Sequence, residues 1–308
     1  MKNKIVTVTL NPCIDKTITL DSFAYGGLNR VRSIRTDTGG KGINVSKVLK
    51  NFEADVFACG IDAGNTITDF LNDIKVSNDF ALTDGVVRTN YKIIDKHSHI
   101  TTEINEQGFF VSDAILEKFI KKLSEILPTA EFLILSGSVP SGVEDNIYKR
   151  LIGIAASYDV KVILDADGEK LKKGTEALPY VIKPNLFEFE QLSGKKFDNV
   201  EKIILAAEDY IKQGVGMVVI SMGANGAVFV SQEGKCVAKA LAVDCKSTVG
   251  AGDSMVAAIA YGLQSGFTLE KIARFASAAG SITASKDGSD VCTMNEVLNS
   301  FDFIEIIK

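Results

Sequence analysis

The sequence predicts an α/β sandwich in which helices flank a mainly parallel central sheet. Short apolar segments alternate with helix-length amphipathic segments, most clearly from about Ser112 onward, and this alternation is typical of parallel sheets with helical crossovers. The apolar segments are rich in Val, Ile, Leu and Met, which indicates strands buried on both faces. With 308 residues, 46% of them hydrophobic, the chain can bury a large core, and disordered, collagen-like and coiled-coil classes are excluded.

The same patterns place the individual elements. Buried strands are predicted at residues 5–10, 132–135, 162–164, 180–182 and 217–220. Helices are predicted at residues 45–52, 114–127, 147–158, 200–213, 253–264 and 269–286. Because no internal repeat or low-complexity linker interrupts them, residues 1–308 are expected to form a single domain.

Two segments depart from this alternation. Residues 17–35 alternate polar and apolar side chains around Gly26-Gly27, and residues 88–110 do so around a polar turn at 95–99. This pattern indicates antiparallel strands with one face exposed to water. We expect lid strands inserted at about residues 16–36 and 88–110, forming a small antiparallel β layer over a cleft.

Charge and cysteine content exclude several functional classes. The net charge is −5, from 34 Lys plus Arg and 39 Asp plus Glu, and no basic block is present, so nucleic acid and membranes are not expected partners. The five cysteines are scattered and only two histidines occur, which disfavours a zinc site and indicates a cytoplasmic location. No apolar run approaches the roughly 20 residues that span a bilayer.

The strongest chemical signal is the run Ser-Thr-Val-Gly-Ala-Gly-Asp-Ser at residues 247–254, which leads into a predicted helix. Small residues let the backbone approach a ligand, and a helix N-terminus presents unpaired N–H groups to an anion. Asp253 lies in the first turn, where it could act as a base or only as an ordinary N-terminal cap. The run is not a P-loop, since GxxxxGK[ST] does not occur in the chain.

A second glycine cluster, Gly39-Gly40-Lys41-Gly42, precedes the helix predicted at 45–52. Lys41 offers a positive charge, and Asn44 offers an amide suited to sugar hydroxyls. A tight turn with a solvated lysine is the alternative.

Three further polar segments follow predicted strands, at the edge where open α/β sheets bind ligands. Asp15 could accept hydrogen bonds from two sugar hydroxyls, or could simply form a turn. Asn185 and Glu188 are three residues apart, which suits either Mg²⁺ bound through water or a helix cap. Residues 221–226 could bind a phosphate, and they also form the turn of a hairpin into residues 227–230.

Together these segments resemble the ribokinase-like sugar kinases, specifically the phosphofructokinase B branch, over essentially the whole chain. Five motifs fall in family order: Asn-Pro-x-x-Asp at 11–15, Gly-Gly-Lys-Gly-x-Asn at 39–44, Ser-Gly-Ser-x-Pro at 136–140, Lys-Pro-Asn-x-x-Glu at 183–188, and Thr-Val-Gly-Ala-Gly-Asp-Ser at 248–254. Each motif alone is weak evidence. Five at compatible spacing are specific.

The resemblance implies an ATP- and Mg²⁺-dependent phosphotransferase with a ribokinase-like fold. Asp253 would be the catalytic base, and the amides of Gly250, Ala251 and Gly252 would form the anion hole. The implied acceptor-binding residues are Asp15, Arg30, Gly39, Gly40, Lys41, Asn44, Arg88, Ser138 and Asp253. The implied ATP-binding residues are Lys183, Asn185, Ser221, Gly223, Gly226, Ser247, Thr248, Val249, Gly250 and Gly252. Asn185 and Glu188 would organise Mg²⁺ through water.

Within the branch, residues 247–255 are most like those of bacterial kinases that convert fructose 1-phosphate to fructose 1,6-bisphosphate. Tagatose 6-phosphate, giving tagatose 1,6-bisphosphate, is the alternative acceptor, followed by fructose 6-phosphate. A non-catalytic sugar-phosphate sensor would be expected to lack Asp253 or the neighbouring glycines, and a nicotinamide-dependent reductase would carry GxGxxG after the first strand. Unpaired lid edges make a homodimer through the lid an expectation.

Overall fold

A computed structural model describes residues 2–98 and 100–307. Its strands are β1 Lys4–Thr9, β2 Cys13–Leu20, β3 Ser33–Gly39, β4 Val56–Ala63, β5 Ser77–Thr83, β6 Arg88–Asp95, β7 Ile100–Asn105, β8 Ala130–Ser136, β9 Lys161–Asp165, β10 Val181–Ile182, β11 Met217–Ser221, β12 Ala227–Ser231, β13 Gly234–Ala238 and β14 Ile306–Ile307. Its helices are α1 Lys41–Asn51, α2 Thr66–Asp73, α3 Asp113–Ile126, α4 Ile147–Ala156, α5 Gly168–Thr175, α6 Leu186–Ser193, α7 Val200–Gln213, α8 Ala251–Gln264, α9 Leu269–Ala284 and α10 Met294–Leu298.

The described strands form a ten-stranded sheet in the order β14-β13-β12-β11-β10-β9-β8-β1-β4-β5. Neighbours from β5 to β11 pair in parallel, and β12, β13 and β14 complete one edge by antiparallel pairing. The predicted α/β sandwich with a mainly parallel sheet is therefore confirmed. The chain builds outward from β1 in both directions, so β1 and β8 lie where the strand order reverses, which is where open α/β sheets bind ligands.

The predicted lid is also confirmed as a separate four-stranded sheet in the order β3-β2-β6-β7. Its two hairpins, β2–β3 and β6–β7, are antiparallel, and parallel pairing of β2 with β6 joins them. The first lid hairpin extends beyond the predicted range of about 16–36 at both ends, since β2 begins at Cys13 and β3 ends at Gly39. Of the predicted turn at 95–99, His99 lies outside the described residues.

Apolar burial explains most of the elements. One cluster of buried side chains fills both faces of the parallel sheet, and α8 packs against both α9 and α1. Nearly every side chain of α8 is buried from Asp253 to Ala260, so this helix lies inside the molecule and its N-terminus opens at the sheet's carboxyl edge. Among the described residues, no helix is long and apolar enough to cross a membrane.

Two predicted helix starts were wrong. The helix predicted at 45–52 begins at Lys41, and that predicted at 253–264 begins at Ala251. In both cases a glycine with positive φ, Gly40 at 119° and Gly250 at 75°, turns the chain into the helix, which few other residues do without strain. Consequently Lys41 and Asp253 both lie in first helical turns.

Candidate active site

The polar residues singled out by the sequence gather at the carboxyl edge of the central strands. Asp253 is the centre of this group. It is buried in the first turn of α8, and Asn44 donates from Nδ2 to its Oδ2 over 2.8 Å. Asn44 is itself buried in the first turn of α1, and its Oδ1 has no hydrogen-bond partner. The start of α1 therefore fixes the orientation of the carboxylate that begins α8.

The surroundings of Asp253 raise its pKa to about 6 from an ordinary value of 3.8. Burial is the main cause, and the negative charge of Asp165 adds to it. The charges of Lys41 and Lys183 and the hydrogen bond from Asn44 act in the opposite direction. A carboxyl group with this pKa is mostly ionised at pH 7 and is basic enough to accept a proton.

Asp165, at the end of β9, lies between two lysines. Its Oδ1 is 3.2 Å from Nζ of Lys41 and 3.3 Å from Nζ of Lys183. Burial opposes ionisation of Asp165, but the two lysine charges outweigh it and hold the pKa of this carboxyl below its ordinary value. Burial likewise opposes the charged form of Lys41, yet Asp165 and Asp253 raise the pKa of the amine. Two fixed cations therefore border the Asp253 carboxylate.

The N-terminus of α8 is open toward these cations. No backbone hydrogen bond from the described residues engages the N–H groups of Gly252 and Asp253. A Cβ added to Gly252 would lie 3.4 Å from Nζ of Lys183, so any larger side chain would narrow the space between this N-terminus and the lysine. Unpaired N–H groups beside a lysine are suited to holding an anion.

The other side of the cleft is built by the base of the lid. Asp15, on β2, is buried, and its Oδ1 accepts from Nδ2 of Asn90 over 3.2 Å. Nζ of Lys92 lies 3.8 Å from the same oxygen. Gly39 lies so close that an added Cβ would be 2.3 Å from Oδ2 of Asp15. The absence of a side chain at this position is thus what leaves room for the carboxylate.

Arg88 joins the lid to the body. Its Nη2 donates to the backbone oxygen of Asn11 and to Oγ of Ser138, both over 3.3 Å. Nδ2 of Asn11 also donates to Ser138 Oγ over 3.3 Å. Nε of Arg88 and Oδ1 of Asn11 are buried without a partner. A guanidinium with an unused donor, beside a hydroxyl, is a group that can hold a phosphate.

Asn185 and Glu188 form a capping box at the start of α6. Oδ1 of Asn185 accepts from the Glu188 N–H, and Oε2 of Glu188 accepts from the Asn185 N–H, both over 2.8 Å. Within residues 2–98 and 100–307, no group of three or more His, Cys, Asp and Glu could hold a metal ion. Glu188 supplies the single carboxylate of this pair. A single carboxylate fits Mg²⁺, because this ion usually takes one or two protein carboxylates and completes its shell with phosphate and water.

Ser221 lies beside Asn185 through a β-bridge, at the end of β11, and the predicted hairpin into β12 is confirmed. Gly223 has open space around it, whereas a Cβ on Gly226 would lie 2.1 Å from the backbone oxygen of Ala238. Gly226 is therefore required by packing against β13. Its predicted contact with phosphate remains a prediction.

Residues 247–249 lie just before Gly250 and the start of α8. Oγ of Ser247 donates to the backbone oxygen of Gly288 over 3.0 Å and accepts from the Val249 N–H over 3.2 Å. The N–H of Ala251 donates to the backbone oxygen of Thr248 over 3.4 Å. These contacts hold the segment that leads into Gly250.

Arg30 is the predicted site residue that the structure does not bring to this group. It is exposed on the loop between β2 and β3, at the end of the lid remote from the body. Asp15 is separated from this loop by five residues of β2, about 16 Å of extended chain. Gly40 and Lys41, by contrast, lie at the cleft because β3 ends there.

The arrangement can now be compared with known proteins. The family model described as pfkB family carbohydrate kinase matches residues 8–296. The chain belongs to this family. The resemblance of the five motifs is thereby confirmed, and the protein is a carbohydrate kinase, a phosphotransferase.

Similar pfkB proteins cover almost the whole chain. The 1-phosphofructokinase of Escherichia coli K12 is 34% identical over 289 residues, 93% of this chain and 92% of its own. That of Borreliella burgdorferi is 36% identical over 299 residues, 95% of each chain. The tetrameric inhibited form of phosphofructokinase-2 from E. coli has a TM-score of 0.90 at 26% identity, covering 98% of this chain and 99% of its own.

Sequence reasoning did not select three residues that lie at this candidate site, namely Asn90, Lys92 and Asp165, and it named Asn11 only as the first residue of the Asn-Pro-x-x-Asp motif. Asn90 and Lys92 could have been found, since they alternate with Arg88 on β6 and alternate residues share one face of a strand. Asp165 ends a buried apolar strand, which is a position for a ligand-binding carboxylate. Its role between two lysines depends on Lys41, 124 residues earlier, and no local pattern shows that.

Proposed function

We propose that this pfkB kinase transfers the γ-phosphoryl group of ATP to fructose 1-phosphate, forming fructose 1,6-bisphosphate. The observation that carries the proposal is the buried Asp253, oriented by Asn44 at the start of α8 and bordered by two lysines. The names of the E. coli and B. burgdorferi relatives support the choice of acceptor. ATP and sugar phosphates are intracellular metabolites, so we also propose a cytoplasmic location.

In this reaction Asp253 would remove the proton of the acceptor hydroxyl as its oxygen attacks the γ-phosphorus. Asn44 binds Oδ2 of the carboxylate, which leaves Oδ1 for the acceptor. A positioned base typically contributes about 10²–10⁴ in rate. Since phosphoryl transfer depends mainly on alignment and charge neutralisation, the geometry around Asp253 is the principal catalytic contribution of this chain.

The first turn of α8 would stabilise the charge that develops on the transferred group. The amides of Gly250, Ala251 and Gly252 form the proposed anion hole, and the free N–H of Gly252 beside Lys183 is its best-supported donor. Each preorganised donor of this kind is worth roughly 10²–10³ in rate. Lys41 could neutralise charge from the opposite side, because Asp165 holds its amine near Asp253.

The nucleotide would lie along the ends of β10 and β11. We assign its phosphates to Lys183, Ser221 and the turn at Gly223 and Gly226, and its ribose side to Ser247, Thr248 and Val249. Mg²⁺ would be held by Glu188 and Asn185 through water, where it would neutralise phosphate charge. The capping box supports this assignment, since it uses Oε2 of Glu188 and leaves Oε1 without a hydrogen bond from the described residues.

The acceptor would lie between the base of the lid and α1. Asp15, Gly39, Gly40 and Asn44 are the proposed hydroxyl-binding residues, and Arg88 with Ser138 the proposed phosphate site. Lys92 adds a cation that the sequence reasoning missed. Its side chain is only 14% exposed and has a single ion pair with the described residues, at 3.8 Å, so its ammonium group retains donors for a phosphate.

The first test is release of ADP from Mg-ATP with fructose 1-phosphate, tagatose 6-phosphate, fructose 6-phosphate and fructose as parallel acceptors. We expect kcat/KM for fructose 1-phosphate to exceed the others at least tenfold. A preference for tagatose 6-phosphate would keep the mechanism and change the acceptor. No turnover with any of the four would refute the proposed function.

We further propose a homodimer formed through the lids. Large apolar side chains are exposed on this sheet and its connecting loop, among them Tyr25, Leu28, Ile34, Ile100 and Ile104, and β3 and β7 are edge strands. An exposed apolar surface with open edges is typical of an interface. Because Arg30 is far from its own cleft, contact across such a dimer is the route by which it could bind an acceptor.

Sedimentation velocity tests the dimer. Leu28→Asp should shift the wild-type protein from dimer to monomer, since a buried charge opposes association. Leu205→Asp, which changes another exposed leucine, 60% exposed on α7 against 78% for Leu28, is the matched control and should leave the dimer unchanged. A wild-type monomer, or a dimer that tolerates Leu28→Asp, would refute the lid interface.

A further inference from the structure

Arg35 makes the lid's one ion pair with the body among the described residues. It lies on β3, on the same face as Asp37 and Gly39, which alternate with it along the strand. Its Nη2 and Nη1 donate to the two carboxylate oxygens of Asp290 over 2.7 and 3.2 Å. Its Nε donates to Asp37 over 2.8 Å. Its Nη2 also donates to the other oxygen of Asp37 over 3.0 Å, so both carboxylates are held in the two-pronged geometry that makes arginine pairs directional.

Asp290 belongs to the connection between α9 and α10, residues 285–293, which we name the α9–α10 loop. Gly288 of this loop has φ of 61° and lies directly against Arg35, since an added Cβ would be 2.7 Å from Nε. The backbone oxygen of Gly288 accepts from Oγ of Ser247 over 3.0 Å. The loop is therefore held by a lid residue and by the proposed nucleotide segment, and α1 also binds it, since Lys47 donates to the backbone oxygen of Ser289 over 2.8 Å and Asn51 to that of Cys292 over 3.0 Å.

The path from acceptor to nucleotide through this loop is short. Gly39 lies against the Asp15 carboxylate, Arg35 lies four residues away on the same strand face, and the α9–α10 loop connects Arg35 to Ser247. Oγ of Ser247 in turn accepts from the Val249 N–H, one residue before Gly250. The path consists of the close approach of Gly39 to Asp15, strand β3, the Arg35–Asp290 ion pair, the backbone of the α9–α10 loop and the hydrogen bonds of Ser247.

We propose that Arg35 and Asp290 are positioning residues that couple acceptor binding to nucleotide binding. An acceptor bound to Asp15 and Gly39 orders β3, which holds the Arg35–Asp290 pair and so orders the loop that supports Ser247 and Val249. Because this segment is then already ordered, the nucleotide does not have to order it, and the affinity of the protein for the nucleotide rises. By thermodynamic linkage, bound nucleotide must raise acceptor affinity by the same factor. The proposal rests on the proposed function for the positions of the two ligands.

The coupling factor is the ratio of nucleotide affinities with and without bound acceptor. It is measured by calorimetric titration of a non-hydrolysable ATP analogue with Mg²⁺, with and without saturating phosphosugar. Fructose 1-phosphate, tagatose 6-phosphate and fructose 6-phosphate are tested in parallel on the wild-type protein, and the one that binds most tightly is used. We expect a wild-type factor of at least about five, the lower end of the usual range for coupled sites.

Four variants separate coupling from mere loss of structure. Arg35→Ala and Asp290→Ala should each bring the factor within about twofold of one, and the double variant should be no worse, as for partners in one contact. Arg35→Lys retains the charge without the two-pronged geometry and should be intermediate. Arg32→Ala is the matched control, because Arg32 pairs with Asp21 inside the lid and should leave the factor unchanged.

Two outcomes would overturn the proposal: a wild-type factor of one, or an unchanged factor in Arg35→Ala, which includes an equal loss of nucleotide affinity with and without acceptor. The last result would assign Arg35 a purely structural role. Tightest binding of tagatose 6-phosphate would refute the proposed acceptor while leaving the coupling measurement intact. Binding of none of the three sugars would overturn both.

Discussion

Replacing the proposed base, Asp253→Asn, should make the protein more stable while removing most of its activity. In the folded chain burial raises the pKa of Asp253 from 3.8 to about 6. Between these two values the folded protein binds more protons than the unfolded chain, so wild-type stability falls as pH rises through this range. Asparagine has no charge to bury, and it can still accept the hydrogen bond from Asn44, so the variant avoids this loss.

The size of the effect follows from the pKa shift. A shift of about two pKa units lowers the free energy of unfolding of the wild-type protein by about 3 kcal/mol, at 1.36 kcal/mol per unit. This loss of stability is present in full above pH 7 and is absent below pH 4. With about 2.1 cal/mol/K of unfolding entropy per residue, a chain of 308 residues should gain about 4–5 °C in Tm at pH 7.5. Because a positioned base supplies about 10²–10⁴ in rate, kcat should fall by at least about 100-fold.

The prediction is tested by measuring Tm of the wild-type protein and of Asp253→Asn from pH 4 to 8, and kcat of both at pH 7.5. Asp62→Asn is the matched control, because the buried Asp62 carboxylate accepts from three backbone N–H groups and the hydroxyl of Thr68. The same substitution there should lower Tm. A Tm of Asp253→Asn that is equal to or below wild type at pH 7.5 would refute the burial argument, and unchanged turnover would refute the base assignment.

Three further predictions concern the pH dependence of the site and the roles of Arg88 and Glu188. Below pH 6, kcat/KM should fall about tenfold per pH unit because only ionised Asp253 accepts the proton, and a flat rate profile from pH 5 to 7 would contradict this. Arg88→Ala should raise KM for the phosphosugar at least about tenfold, the value of a charged hydrogen bond, and KM for ATP far less. Equal effects in steady-state assays would place Arg88 outside the acceptor site. Glu188→Gln preserves the capping box but removes its charge, so the Mg²⁺ concentration for half-maximal rate should rise several-fold with unchanged urea unfolding. An unchanged Mg²⁺ requirement would limit Glu188 to capping.

Sequence patterns located elements best where local chemistry marks both ends. Helix α7 was predicted with its observed bounds, because Asn199 caps its start through the Lys202 N–H and Gly214 ends it with positive φ. Strands β4 and β5 were not predicted. A glycine inside β4, Gly60, weakens the strand pattern, and its cause is tertiary, since a Cβ there would lie 1.9 Å from the backbone oxygen of Thr9.

The site shows the same division between local and tertiary information. Asp253, Asn44 and Asp15 could be named from the sequence because each follows a strand or begins a helix. Their electrostatic state could not, since the pKa of Asp253 is raised first by burial in the folded protein and then by the charge of Asp165, which lies 88 residues earlier. The capping alternative for Asn185 proved structurally right, yet it does not exclude a metal, because a capping carboxylate has a second oxygen.

Glycines explain why motifs indicate a ligand site without showing which residue touches the ligand. A Cβ added to Gly42 would lie 2.3 Å from Oγ1 of Thr9, and a Cβ added to Gly226 would lie 2.1 Å from the backbone oxygen of Ala238. At both positions the protein itself excludes a side chain. A Cβ added to Gly223 would have no neighbouring atom within 4 Å, and one added to Gly252 would be 3.4 Å from Nζ of Lys183. At these two positions the space is available to a ligand. Glycine looks the same in the sequence whether backbone or ligand approaches it. The fold, by supplying the neighbour, is what divides the motif into residues that hold the loops in place and residues that face the proposed nucleotide site.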